Sequence, residues 1–216
     1  MAWLTIASDP VRADFRGNRM LQAIVATVAA LWIVAAVAPV DRFDWLLENL
    51  LVFVVAVAGY ATYRRWPLSD LSYLLVAGFL VFHIVGAHYT YARMPAGFWL
   101  QDTLGLSRNH YDRIVHFAFG LLVTYPVLEL VRRRSGIRGP WTVVTAFAIM
   151  VAASDLFEIA EWLVAIAVSP QAATTYLGVQ GDPFDAEKDV AVAHIGVAVA
   201  LVVIRVAEWG GSRRSR

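Results

Sequence analysis

Long apolar runs separated by short polar stretches dominate the chain. Runs of the length a bilayer core requires fall at about 20–39, 45–63, 69–91, 110–131, 141–168 and 189–207. They lack the polar stripe that a soluble helix turns to water, and six of them in so short a chain could not shield one another. The pattern predicts an all-α fold, a polytopic membrane protein built as a bundle of about six transmembrane helices over 20–207. A segment 1–19 precedes the bundle and a basic tail 208–216 follows it. The first run comes after Arg12, Arg16 and Arg19, as the core of a signal peptide would, but it has the length of a span. Its A-x-A-like site, Ala36-Val37-Ala38, is followed by Pro39, so the run reads as a retained anchor.

Arginine placement sets the expected orientation. Arg12, Arg16, Arg19, Arg64, Arg65, Arg132, Arg133, Arg134, Arg138, Arg205, Arg213, Arg214 and Arg216 fall on one side of a six-helix arrangement, 13 of the 18 basic residues. The positive-inside rule makes that side cytoplasmic and puts both termini there. Trp45, Trp66, Trp99, Trp141 and Trp209 lie near predicted helix ends, where interfacial aromatic belts sit. The other half holds 12 of the 17 acidic residues and all five histidines. Acids contribute little to topology, so this skew is a separate signal, an outward-facing region that attracts cations.

Composition sharpens this picture. Hydrophobic residues make up 59% of the chain and charged ones 16%, where soluble domains carry roughly a quarter. Cysteine is absent, which excludes disulfides, zinc–thiolate sites and thiol nucleophiles and leaves His, carboxylate or carbonyl groups as the only metal ligands. There is no G-x-S-x-G, Walker A, H-E-x-x-H or EF-hand pattern. The basic residues are dispersed among short segments, which argues against a nucleic-acid partner.

An ionisable residue inside a span costs roughly 2.5–3.5 kcal/mol, so it persists where it pairs or lines a cavity. Helix 3 carries His83 and His88, helix 4 opens with Arg108-Asn109-His110-Tyr111-Asp112-Arg113 and then His116, helix 5 carries Asp155, Glu158 and Glu161, and helix 6 opens with Asp185, Lys188, Asp189 and then His194. At about 1.5 Å of rise per residue, His83, His116, Glu158 and His194 all reach the outer third of the bilayer. Residues three or four apart share a face, so Asn109, Asp112 or Arg113, and His116 form one stripe, and Asp155, Glu158 and Glu161 or Trp162 another. Asp112 can fix the tautomer of His116. Arg113 and Lys188 either neutralise nearby carboxylates or hold a substrate anion. Glu129, beside Arg132 to Arg134, reads as a surface ion pair. The loop with Gly97, Phe98, Trp99 and Leu106 reads as an interfacial or lid segment.

Several segments carry a family likeness: Val85-Gly86-Ala87-His88-Tyr89-Thr90-Tyr91, the stretch Gly105-Leu106-Ser107-Arg108-Asn109-His110-Tyr111-Asp112-Arg113-Ile114-Val115-His116-Phe117, and Gln180-Gly181-Asp182-Pro183-Phe184-Asp185-Ala186-Glu187-Lys188-Asp189. On these the chain resembles the YjdF-like inner-membrane proteins of bacteria, which implies a multi-pass place in the inner membrane and no particular reaction. The carboxylates of helix 5 followed by an acidic loop are more weakly similar to VanZ-like proteins, which implies a role at the cell envelope.

The expected function is a membrane-embedded protein with a divalent cation, zinc, manganese or iron, in an outward-facing cavity, acting as a metal-dependent enzyme on an envelope lipid or lipid-linked substrate. His83, His88, His116, Glu158, Asp185 and Asp189 are the candidate ligands. Asp112, His116, Glu158 and Glu161 are the candidate acid–base groups, and Arg108, Asn109, Arg113 and Lys188 the candidate substrate binders. A proton- or cation-coupled carrier using the same groups, or a structural role for the cluster, are the alternatives.

Overall fold

The computed structural model describes residues 15–63 and 65–214, so most of the segment 1–19 with Arg12, and Arg64 and Arg216, lie outside the described residues. A 3-10 turn at Phe15–Gly17 leads into α1 (Arg19–Ala35), α2 (Arg42–Tyr63), α3 (Asp70–His88), α4 (Pro95–Leu104), α5 (Tyr111–Arg134), α6 (Trp141–Ala167), α7 (Pro170–Leu177) and α8 (Asp185–Arg214). Five of these, α2, α3, α5, α6 and α8, are long and apolar enough to cross a membrane. Helix α1 is apolar but has 17 residues, about 25 Å of rise and short of a full core. The expected run to residue 39 stops at Ala35 because Ala38 takes a left-handed φ of 49° and Pro39 cannot continue the helical bonding. At the other extreme α8 starts at Asp185, four residues before the apolar run, where Asp185 and Glu187 in its first turn favour the helix dipole.

Helices α5 and α8 form the centre and run parallel. Two glycines set their separation: a Cβ on Gly120 would lie 2.0 Å from the Ala193 carbonyl oxygen, and one on Gly196 would lie 2.4 Å from that of Phe117. Backbones come this close only where side chains are missing, the small-residue packing of membrane helices. At the far end Arg132 of α5 pairs with Glu208 of α8. Helix α3 packs antiparallel on α5, joined near its start by Glu129 and near its end by the Tyr111 hydroxyl donating to the Phe82 carbonyl at 2.9 Å. Helix α1 lies on α3, with Asn18 donating to Asp70 at one end and the His88 Nδ1 2.9 Å from the Ala35 carbonyl at the other.

Glu129 is fully buried, which corrects the expectation of a surface ion pair. Its carboxylate accepts from the Ser69 backbone N–H at 2.9 Å, from the Ser69 hydroxyl at 2.8 Å and from the Ser72 hydroxyl, and meets Arg133 Nε at 3.0 Å. It therefore secures the N-terminus of α3, whose cap is Ser69, to the C-terminal part of α5. Trp45 also departs from expectation: it is 5% exposed and packs on Trp32 inside the bundle, while Trp66, Trp99, Trp141 and Trp209 stay exposed as a belt requires.

Two outcomes check this architecture. Gly120→Leu should destabilise the detergent-solubilised protein by about 3 kcal/mol or more, whereas Gly59→Leu, where nothing lies within 4 Å, should change its unfolding midpoint little. Glu129→Ala should cost about 3–5 kcal/mol, with Glu129→Gln losing less because its amide oxygen still accepts from Ser69.

Candidate functional site

The end of the bundle opposite the arginine run contains a latch and, beneath it, an unsatisfied cluster. In the latch Arg108 is buried and grips Asp185 with both fork nitrogens, Nη1 to Oδ1 at 2.5 Å and Nη2 to Oδ2 at 3.0 Å, and also donates to the carbonyls of Val179 and Gly178. Arg113 donates to Asp182 at 2.7 Å and Asp185 at 3.2 Å, and its Nη1 donates to His110 Nδ1 at 3.0 Å. Lys188 donates to both oxygens of Asp182 at 2.7 Å. Those hydrogen bonds from Lys188 first, and from Arg113 next, hold the Asp182 carboxyl well below the usual carboxylate range. His110 is pushed below the ordinary imidazole value, first by burial and then by the Arg113 charge.

Asn109 is the second clasp. Its side chain donates to the Met94 carbonyl at 2.9 Å and accepts from the Tyr111 N–H at 3.0 Å, and its backbone exchanges two bonds with the Gln180 amide. Gly97 in α4 sits so close to Asn109 that a Cβ there would lie 1.8 Å from Oδ1. The four residues expected to hold a substrate are thus engaged with other parts of the chain, Arg108, Arg113 and Lys188 with Asp182 of the loop before α8 or Asp185 at its start, Asn109 with Met94 and Gln180. A guanidinium fork matches a carboxylate so well that loop and helix acids take the places foreseen for a ligand.

Below the latch, Asp112 and His116 of α5 and Asp189 of α8 each offer a ligand atom, all within 4.8 Å of one another. Glu158 of α6 joins them: His116 Nε2 lies 3.4 Å from Glu158 Oε1 and 3.5 Å from Asp112 Oδ1. Asp189 Oδ1 is 3.7 Å from Arg113 Nε. Glu158 Oε1 and Asp189 Oδ1 are buried and accept no hydrogen bond among the described residues. The two separations from His116 Nε2 match the spacing of about 3.4 Å between ligand atoms of a tetrahedral metal with bonds of about 2.1 Å.

The structure does not bring His83, His88 or Asp185 into this cluster as free ligands. His83 Nε2 lies 3.0 Å from the Glu48 carbonyl, which can only accept, so Nε2 carries the proton and Nδ1 takes the Tyr91 hydroxyl at 2.5 Å. Neither nitrogen keeps a lone pair for a metal. His88 bonds the end of α1 and stacks edge-on against Tyr89. Asp185 belongs to the latch. His194 meets Asp155 at 3.6 Å on the α6–α8 side.

A cavity of about 150 Å³ adjoins the cluster. Asp112 and His116 form one wall, Glu48, His83, Tyr91, Glu161 and Tyr176 are prominent among its other polar residues, and Leu51, Phe79, Val115, Phe119 and Phe157 are apolar. Burial, then Glu161 and Glu48, raise the Tyr176 phenol far above its ordinary value, so it stays a neutral hydrogen-bond donor. Sequence patterning did not single out Tyr176 or the pair Gly120 and Gly196; an isolated glycine inside an apolar helical run was the available sign of close packing.

Comparison with known proteins agrees with the membrane reading. Residues 20–209 match a family described as predicted membrane protein, DUF2238. The chain is 34% identical over 186 residues to the inner membrane protein YjdF of Escherichia coli (strain K12), covering 86% of this chain and 88% of that one. No solved structure matches it.

The latch makes two checkable statements. Arg108→Ala should lower stability by about 3 kcal/mol by leaving the buried Asp185 with Arg113 alone, and Arg108→Lys should recover only part because it has no fork. The depressed Asp182 value contributes stability that is complete above the ordinary carboxylate pKa of about 3.9 and lost as pH falls toward the folded value. The unfolding midpoint should therefore drop between about pH 5 and 3, and drop less in Asp182→Asn.

Proposed function

The chain belongs to the DUF2238 family of predicted membrane proteins, and from that premise we propose that it binds a divalent cation at the acidic end of its bundle. The ligands are Asp112, His116, Glu158 and Asp189, and the cation serves chemistry on an amphiphilic substrate drawn from the membrane. In this reading the arginine-rich end faces the cytoplasm, as positive charge near span ends favours, and the site opens on the other side. The similarity to an inner membrane protein supports the same location here.

One observation carries the proposal: two carboxylate oxygens, on Glu158 and Asp189, are buried without a donor beside an imidazole nitrogen. A buried carboxylate oxygen with no donor and no cation costs several kcal/mol. A divalent ion removes that cost at once. Three carboxylates and one imidazole are a hard, oxygen-rich set that suits manganese or iron(II) better than zinc. In such a site the ion would polarise a carbonyl or phosphoryl oxygen or activate a water, and Glu161, which lines the adjoining cavity one helical turn from Glu158, would exchange a proton. A carrier role has less support, because Tyr125, Leu128, Val131, Ala146 and Ile204 pack as an apolar plug between the cluster and the arginine-rich end.

Equilibrium dialysis of the purified protein against manganese(II) tests this. One ion per chain should bind, and His116→Ala or Asp189→Asn should weaken it by roughly a hundredfold, while His194→Ala leaves it unchanged. Absence of saturable binding, or equal binding by all three variants, would remove the proposal.

A further inference from the structure

The metal cluster would use one wall of the cavity; the remaining lining has a chemistry of its own. Glu48, Asp112 and Glu161 line it, and among the described residues no lysine or arginine does. Glu48 is 5% exposed, and its carboxylate has no hydrogen bond or ion pair among the described residues. The rings of Phe79, Phe119, Phe157, Tyr91 and Tyr176 make up much of the rest. Setting aside Asp112, which belongs to the metal cluster, the carboxylates of Glu48 and Glu161 among aromatic faces favour an organic cation, since the carboxylates supply charge and the rings supply quadrupole attraction. An anionic or neutral head would leave Glu48 uncompensated.

One side of the cavity lacks a helix–helix seam. Helix α2 packs on α3 and α7, and α6 on α5, α7 and α8, but α2 and α6 share no packed interface among the described residues. Helix α7, through Tyr176 and the following Gly178, bridges them at the acidic end. Ala153, on the α6 wall, is exposed. A volume of about 150 Å³ is that of a cavity able to hold a benzene, enough for an ammonium group and its first carbons and too small for an alkyl tail.

We infer that this cavity receives the ammonium head of an alkylammonium amphiphile entering from the bilayer between α2 and α6, with Glu48 and Glu161 as its counter-charges. The tail remains in the opening among lipid chains. This names the substrate class for the site proposed above and rests on that reading, yet the two can fail separately because Glu48 lies outside the metal cluster.

Isothermal titration of the protein in dodecyl maltoside, with matched titrations into empty micelles, tests it with dodecylammonium, dodecanol, dodecyl phosphate and ethylammonium. Dodecylammonium should saturate one site, with the neutral and anionic analogues at least about tenfold weaker. Ethylammonium binding as tightly as the long-chain amine would overturn the bilayer source. Glu48→Gln should weaken dodecylammonium about tenfold, and Ala153→Trp, which adds bulk at an exposed position of the cavity's α6 wall, should abolish it. Both variants should keep manganese binding. Equal binding of the three long-chain probes, or wild-type affinity in Ala153→Trp, would contradict the inference. Loss of manganese binding by the wild-type protein with the Glu48-dependent amine site intact would sink the metal reading alone.

Discussion

The close parallel crossing of α5 and α8 is the constraint on which the rest depends. Gly120 lies one turn beyond His116, and Ala193, whose carbonyl it meets, lies one turn beyond Asp189. Backbone contact at that level places His116 and Asp112 against Asp189 one turn nearer the acidic end. Had either glycine carried a side chain, the helices would stand apart and the three ligand atoms would no longer converge. The spacing of the cluster is thus a consequence of packing lower in the bundle, where no polar side chain sets the distance.

The two ends of that crossing treat buried acids differently. At the arginine-rich end, Glu129 receives a backbone N–H, two hydroxyls and a guanidinium, and Glu208 receives Arg132. At the acidic end, Arg108, Arg113 and Lys188 are committed to Asp182 and Asp185. Asp112, Glu158 and most of Asp189 remain without comparable partners among the described residues. A bundle able to satisfy Glu129 so completely shows that its sequence can supply donors to a buried acid. Their scarcity around Glu158 and Asp189 is what the proposed ion would make good.

Much of the architecture was legible in the sequence because an apolar run of spanning length, with no polar face along it, is stable as a helix in lipid and exposes too much hydrocarbon to be stable in water. Five such runs became helices of spanning length and the first fell short at Ala38 and Pro39. Helices α4 and α7 escaped notice as elements although both carry the N-terminal proline and C-terminal glycine signature: Pro95 and Gly105, Pro170 and Gly178. At the site, depth set His116 and Glu158 at one level and the shared stripe set Asp112 on the face of His116, while Asp189 entered only as a candidate ligand at the start of the last helix. Depth and stripe could not reveal which polar groups would satisfy each other. Whether the His83 nitrogens are free depends on a carbonyl of α2 and a tyrosine eight residues on, and whether Arg108 is free depends on a loop about seventy residues away. Such pairings are decided by tertiary contact, and spacing along a helix carries no record of them.

The central claim is that an ion belongs among Asp112, His116, Glu158 and Asp189 where α5, α6 and α8 meet, two of whose carboxylate oxygens have no donor among the described residues. Crystals of the protein grown with manganese(II) and measured at the manganese absorption edge address it directly. An anomalous peak is expected within coordination distance of His116 Nε2 and of the carboxylates of Asp112, Glu158 and Asp189. Full diffraction data with no peak there, and with Glu158 and Asp189 instead bonded to ordered waters or to one another, would contradict it.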